Sequence, residues 1–264
     1  MLTLKFSRKT LGIPYAAFLT LFVAAPLLVL IYYAFTNGQG QFTLKNLTGF
    51  FTDPNTLGTL CYSFAIALTT TCVALLIAYP TAYFLAKSHL KRKAVLVMLF
   101  VMPMWINFSL RITALKEILT VIEGNLAYYP FLNAVVGMTY DFLPFMILPI
   151  YNALMKLDDS IIEAAYDLGA EKPVVLGRIV LPLIVPGIAS GVTMVFVPSL
   201  TTFVISNILG GGKIYLIGNI IEQEFTTSAN WNLGSGLSLV MMVFVLGSMA
   251  ILSALDKSGE GVSL

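Results

Sequence analysis

The residues of this chain that could do chemistry are few, and one is an acid set in apolar surroundings. Asp141, beside Tyr140, falls near the middle of a long apolar run. A carboxylate at that depth is costly unless it meets a partner or water. It is a candidate either for meeting a cation on a polar path or for pairing with Arg111 to hold helices together. Trp105 and Asn107 precede Arg111 and offer an aromatic face and an amide. Thr202 and Ser206 recur at helical spacing after Pro198, with Ser199 and Thr201 beside them. Such a stripe lines water or hydrogen-bonds a neighbouring helix. Glu222, Glu224 and Trp231 share a later polar segment, where they are either solvated or receive a cationic solute. Aromatic faces attract cations through their electron-rich rings.

None of this is enzyme chemistry. His89 is the single histidine, and there is neither a zinc-protease helix motif nor a serine-nucleophile elbow, so neither metal nor triad catalysis is expected. Gly210-Gly211-Gly212-Lys213 lacks the first glycine of a phosphate loop at its proper spacing and the Ser/Thr after the lysine. It reads as a flexible turn. Cys61 and Cys72 fall on one predicted helix about 16 Å apart, too far for a disulfide.

The elements that must position these residues are membrane spans. Only 11% of the residues are charged and 58% are apolar, against about 25% charged in ordinary domains. Mean hydropathy is +0.89. Six apolar runs reach the roughly 20 residues a bilayer requires: about 13–35, 61–86, 94–115, 131–155, 178–207 and 233–255. Each is predicted helical, because unpaired backbone groups are too costly in hydrocarbon. The first run follows Lys5, Arg8 and Lys9; it is too long for a signal core and no small-residue cleavage site ends it, so a retained span is expected.

Charge placement gives the orientation. With the N-terminus inside, the inner segments hold Lys5, Arg8, Lys9, Lys87, Lys91, Arg92, Lys93, Lys156, Lys172, Arg178 and Lys257. The outer side holds Lys45, Arg111, Lys116 and Lys213, so the count is 11 against 4. The positive-inside rule then predicts both termini in the cytoplasm. The expected fold is a single all-α membrane domain over residues 1–264, N-in and C-in, with six spans.

The polar break between the fourth and fifth runs carries the most specific pattern. Glu163-Ala164-Ala165 is followed after three residues by Gly169, after nine more by Ile179, and after one more by Leu181-Pro182. Ser160-Ile161-Ile162-Glu163 has the form of a capping box, which predicts a helix start there. The acids of Leu157-Asp158-Asp159 suit the positive end of its dipole. Gly169 suits a left-handed helix end, and Pro173 suits the first turn of a second helix. Two short helices at an angle are expected, with a slim apolar face of Ile161, Ala164, Ala165 and Leu168.

These residues fill every fixed position of the EAA loop, and the chain thereby resembles the permeases of type I ABC importers. Phe142-Leu143-Pro144-Phe145-Met146 on to Tyr151, Tyr79-Pro80 with Phe84-Leu85-Ala86-Lys87, and Leu209 through Lys213 with Leu216-Ile217-Gly218-Asn219 extend the likeness. They resemble the PotB-type permeases of spermidine/putrescine importers. The resemblance implies that 157–173 is a coupling loop whose helices dock in an ATP-hydrolysing subunit, with Ser160, Glu163, Ala164, Ala165, Leu168, Gly169, Ile179, Leu181 and Pro182 as coupling residues. It implies a second, PotC-like permease, two ATPase subunits that hold ATP-Mg, and an extracytoplasmic polyamine-binding protein. No cofactor is expected in this chain and no nucleic acid among its partners; its place is the bacterial cytoplasmic membrane. An importer of an anion or iron complex, or a gradient-driven transporter, is the alternative. An anion path would favour arginines over Asp141.

Overall fold

The computed structural model describes residues 8–88 and 92–259. Lys5, His89 and Lys91, and the side chains of Arg8, Lys9 and Lys257, lie outside what it describes. The helices in chain order begin with α1 (Arg8–Leu19), a π turn (Thr20–Ala24), α2 (Ala25–Ala34), α3 (Lys45–Thr52) and α4 (Pro54–Lys87). Next come α5 (Lys93–Val101), a 3-10 turn (Met102–Trp105), α6 (Phe108–Glu123), α7 (Pro130–Lys156) and α8 (Asp159–Asp167). Then follow α9 (Lys172–Val174), a second π turn (Val175–Val180), α10 (Leu181–Leu183) and α11 (Val185–Thr201). The last are α12 (Val204–Leu209), α13 (Ile217–Thr226) and α14 (Trp231–Gly259).

Four of the expected spans are present as long apolar helical stretches: Gly12–Ala34, Pro54–Lys87, Pro130–Lys156 and Trp231–Ile251. The other two are broken. The run expected over 94–115 turns by 95° between Val95–Trp105 and Phe108–Glu123. Pro103 brings no amide to the helix ladder, and Ile106 is extended (φ −81°, ψ 142°). The run expected over 178–207 turns by 75° between Lys172–Leu183 and Val185–Thr201. Here Ile184 leaves helical geometry (φ −104°, ψ 9°), and Pro186 leaves the carbonyl of Pro182 without its helical donor. The fifth membrane helix therefore starts at Val185, and residues 178–183 belong to the segment before the bend. A further break at Thr202 (ψ 142°) separates α11 from α12.

The chain divides into two compact units. One comprises the residues up to Leu57 with Ile220–Phe244; the other comprises Gly58–Asn219 with the residues from Val245 onward. In the first unit, two amides cap the end of α2. Asn46 Nδ2 donates to the carbonyls of Ala34 (3.1 Å) and Thr36 (2.8 Å). Asn232 Nδ2 donates to those of Tyr33 (3.2 Å) and Thr36 (2.7 Å). Carbonyls left free at a helix end in an apolar setting are thus satisfied by side chains.

In the second unit, α7 and α11 form the central seam. A Cβ added to Gly187 would lie 2.5 Å from Ala153 Cβ and 2.9 Å from the carbonyl oxygen of Pro149. One added to Gly191 would lie 2.8 Å from Met146 Sδ. The small-xxx-small spacing of these glycines lets the two backbones approach closely, as it does in membrane helix pairs generally. Gly187→Ala is therefore expected to destabilise this seam by about 1–3 kcal/mol, the usual cost of overpacking. The check is the melting temperature of the detergent-solubilised protein, which should fall clearly, while Gly177→Ala, with open space around it, should leave it unchanged.

Candidate functional site

The segment between α7 and α11 carries the expected helix and its expected glycine end, but its start differs from the sequence pattern. The cap of α8 is Asp158, not Ser160. Asp158 is extended (φ −64°, ψ 127°) and its carboxylate accepts the Ser160 N–H at 3.0 Å. Ser160 sits one residue inside the helix, so the Ser160–Glu163 capping box does not form. The physical reason is local: an aspartate accepts the same amide with a full charge at the positive end of the helix dipole. The Ser160 backbone amide, then its hydroxyl, hold the Asp158 carboxyl below the usual carboxylate range, with a smaller contribution from Lys87.

The C-terminus of α8 closes as expected. Gly169 is left-handed (φ +81°). Its N–H reaches the Tyr166 carbonyl at 2.9 Å, and the Ala170 N–H reaches that of Ala165 at 3.0 Å. This pair of bonds is the Schellman arrangement, which only a residue tolerant of positive φ completes without strain.

α8 has two faces with different duties. Ile162 and Ala165 are buried and join a core that contains Val175, Val180, Ile150 and Leu154. Ile161, Glu163, Ala164 and Leu168 are exposed, Leu168 to 89%. Ala165 is thus turned into the protein, and it does not belong to the outward face expected for it. An exposed leucine beside a slim alanine and an acid makes a small apolar projection rimmed by charge. Ile179 is half-buried against the same core, whereas Leu181 and Pro182 are exposed just before the 75° bend.

The expected polar path is more dispersed. Asp141 is 3% exposed, and its Oδ1 lies 2.5 Å from Arg111 Nη2. The two side chains are 4% and 9% exposed, so α6 and α7 are joined by a closed, buried ion pair. Tyr140 and Trp105 are exposed. Asn107 caps α6, accepting the Ser109 N–H at 3.0 Å, at the turn between the two arms of the broken third run.

Thr202 is at the break after α11. Ser206 is 1% exposed and donates to the Phe203 carbonyl (2.8 Å) and Asn219 Oδ1 (2.7 Å). Asn219 Oδ1 also accepts the Leu216 N–H (2.9 Å), and its Nδ2 donates to Asn207 Oδ1 (2.6 Å). Thr202 and Ser206 are therefore not one stripe on a continuous helix, and Ser206 is a tie within the turn. Gly211, expected to be flexible, packs so tightly that a Cβ there would lie 2.7 Å from the Ala127 amide nitrogen. In the other unit Glu222 accepts from Thr226 Oγ1 (3.1 Å), Glu224 is half-buried, and Trp231 stands edge-on to Phe225.

Two long helices joined by an EAA-spaced segment invite comparison with known transporters. Residues 78–258 match the model of the family described as binding-protein-dependent transport system inner membrane component. The chain belongs to this family. It is thus a multi-pass membrane component of a transport system and not an enzyme. It is 34% identical over 261 residues to the spermidine/putrescine transport system permease protein PotB of Haemophilus influenzae, covering 91% of each chain. It is 35% identical over 253 residues to PotB of Escherichia coli, covering 88% of this chain and 91% of the relative. In fold it is similar to a chain of a bacterial alginate ABC transporter in complex with its pentasaccharide-bound periplasmic protein, with a TM-score of 0.72, 13% identity and coverage of 95% and 93%. A chain of the inward-facing MetNI methionine ABC transporter is similar with a TM-score of 0.59 and 17% identity, over 77% and 95%.

The ion pair yields a test within this family architecture. Removing one partner of a buried pair strands the other charge, at a cost of about 3–5 kcal/mol. Arg111→Met or Asp141→Leu alone should sharply lower the amount of folded protein in membranes. The double variant should recover much of it, as measured by quantitative blotting after detergent extraction. The helix cap gives a second. Asp158→Ala should lower the melting temperature and Asp158→Asn should lower it less, because asparagine also caps but brings no charge to the helix dipole. Because the folded-state pKa is lowered, the ionic part of this cap persists above the ordinary carboxylate range. It is lost only as pH falls through the lowered value.

Proposed function

We propose that this chain is one of two permease subunits that form the membrane path of an ATP-driven polyamine importer. The observation that carries the cargo is the alignment with the PotB permeases of Haemophilus influenzae and Escherichia coli at about one-third identity over about nine-tenths of both chains. On this reading the chain sits in the bacterial cytoplasmic membrane with both termini inside, beside a second, PotC-like permease. Two ATPase subunits bind ATP-Mg on the cytoplasmic side, and an extracytoplasmic binding protein delivers spermidine or putrescine.

The exposed face of α8, with Ile161, Glu163, Ala164 and Leu168, is the docking knob for an ATPase subunit. ATP closes the ATPase pair, the knobs of the two permeases move together, and the path turns from inward-open to outward-open. Hydrolysis reverses the motion and releases cargo inside. Gly169 fixes where the knob ends, and Ile179, Leu181 and Pro182 carry the segment to the bend before α11.

Polyamines combine several ammonium charges with apolar methylene stems. Asp141 is already engaged by Arg111, so its charge is largely cancelled for a passing cation. The exposed aromatics Trp105 and Tyr140, with Glu222, Glu224, Trp231 and Thr202, are the remaining candidates for cargo contact, through cation–π and carboxylate attraction.

The test is uptake of labelled spermidine and putrescine by cells whose only polyamine importer contains this subunit. Uptake should depend on ATP and should vanish with Glu163→Lys at normal expression. Normal uptake by that variant would remove the coupling role from α8. An assembled complex with active ATPase and no polyamine uptake would instead discard the cargo.

A further inference from the structure

One pattern singled out in the sequence, Tyr79-Pro80 running on to Lys87, has no part in the reading above. Its residues fall at the end of α4. This helix has 34 residues, or about 51 Å of length, against a hydrocarbon thickness of about 30 Å. An end of α4 therefore stands clear of the apolar layer.

On that end, Tyr79, Tyr83 and Lys87 follow at i, i+4 and i+8 and so share one face. Each meets the segment between α7 and α11 at a different point. The Tyr79 hydroxyl donates to the Leu176 carbonyl at 2.9 Å, inside the second π turn. Tyr83 packs against the core that holds Ile162 and Ala165 and lies within electrostatic reach of Tyr166, near the end of α8. Lys87 Nζ donates to the Leu157 carbonyl at 2.9 Å and to Asp159 Oδ1 at 2.5 Å, at the start of α8. The neighbouring face of α4 is a row of small residues, Ala74, Ala78, Ala82 and Ala86, all buried in the core that holds Ile162, Ala165, Val175 and Val180. The alanines let α4 come close, and the three long polar side chains reach across.

A single contact between two helices acts as a pivot. Three contacts on successive turns, spread over about 12 Å, fix both position and rotation. We infer that Tyr79, Tyr83 and Lys87 are positioning residues that tie α4 to the coupling segment, so that displacement of α8 by its partner also moves α4. This inference rests on the proposed ATPase coupling through α8. It assigns transmission into the bundle to a second route, besides the direct chain connections to α7 and α11.

The experiment uses the complete importer in proteoliposomes and compares wild type with the Tyr79→Phe/Tyr83→Phe/Lys87→Met triple variant, which keeps the rings and the aliphatic stem. The first readout is ATP hydrolysed per spermidine imported. This ratio should rise several-fold in the triple variant while the amount of assembled complex stays the same. Lys87→Asp and Asp159→Lys should each raise the ratio, and the two together should bring it back towards wild type. A purely structural role would lower uptake and hydrolysis in proportion and leave the ratio unmoved.

The second readout needs no cargo. Cys61 is exposed on α4, and its alkylation rate should change when ATP and vanadate trap the complex, a response the triple variant should lose. An unchanged ratio, a retained alkylation response in the triple variant, or no response in wild type would each overturn the role of the stripe. The parent reading fails separately. Glu163→Lys raising the ratio while the triple variant does not would overturn the stripe alone. Glu163→Lys leaving the ratio unmoved would overturn coupling through α8.

Discussion

The close approach of α7 and α11 is the constraint on which the rest of the second unit depends. Gly187 and Gly191 leave no room for a side chain against Pro149, Ala153 and Met146, so the two helices are held at backbone distance. The segment between them leaves α7 at Lys156 and enters α11 at Val185. Both of its ends are therefore pinned to the same seam. α8 is not a loose loop on such a frame. Ile162 and Ala165 anchor it from beneath, and Gly169 ends it at a fixed point, which leaves its other face free to be pushed.

A second constraint comes from the membrane. Backbone groups within hydrocarbon must find partners, and broken helices survive there only where side chains or neighbouring helices supply them. The turn after α11 meets that demand with Asn219, which takes the Leu216 amide and the Ser206 hydroxyl together. The end of α2, at the edge of its apolar run, is capped in the same way by Asn46 and Asn232. The charge of Asp141 is answered by Arg111 across α6 and α7. Asp141 and Ser206, which look suited to a solute when read along the chain, are thus engaged by the protein itself.

The parts of this architecture that rest on local rules were legible in the sequence. Apolar run length gave the four long helices, and Gly169 gave the end of α8 because only one kind of backbone turn uses a glycine there. The parts that rest on choices between near-equal local options were less legible. Asp158, Asp159 and Ser160 all suit a cap, and the small local advantage of a charged acceptor on an extended residue decides for Asp158. A run such as 94–115 has the composition of one span, and composition carries no direction. The 95° turn depends on how Pro103, Ile106 and Asn107 act together. Likewise Ala165 and Ala164 are alike as residue types, and only the rotation of α8 on its core decides which one faces outward.

The bend at Ile184 has a mechanical consequence. Between Lys172–Leu183 and Val185–Thr201 the axis turns by 75°, so the two arms meet almost as a bell crank does. A thrust along the first arm passes along the second only in proportion to the cosine of that angle, which is small. Most of the thrust appears instead as sideways tilt of α11. A helix that tilts about a glycine seam takes its neighbour with it, whereas a piston stroke would shear the seam apart. On the proposed coupling, the bend would therefore turn a push on the first arm into rocking of the second.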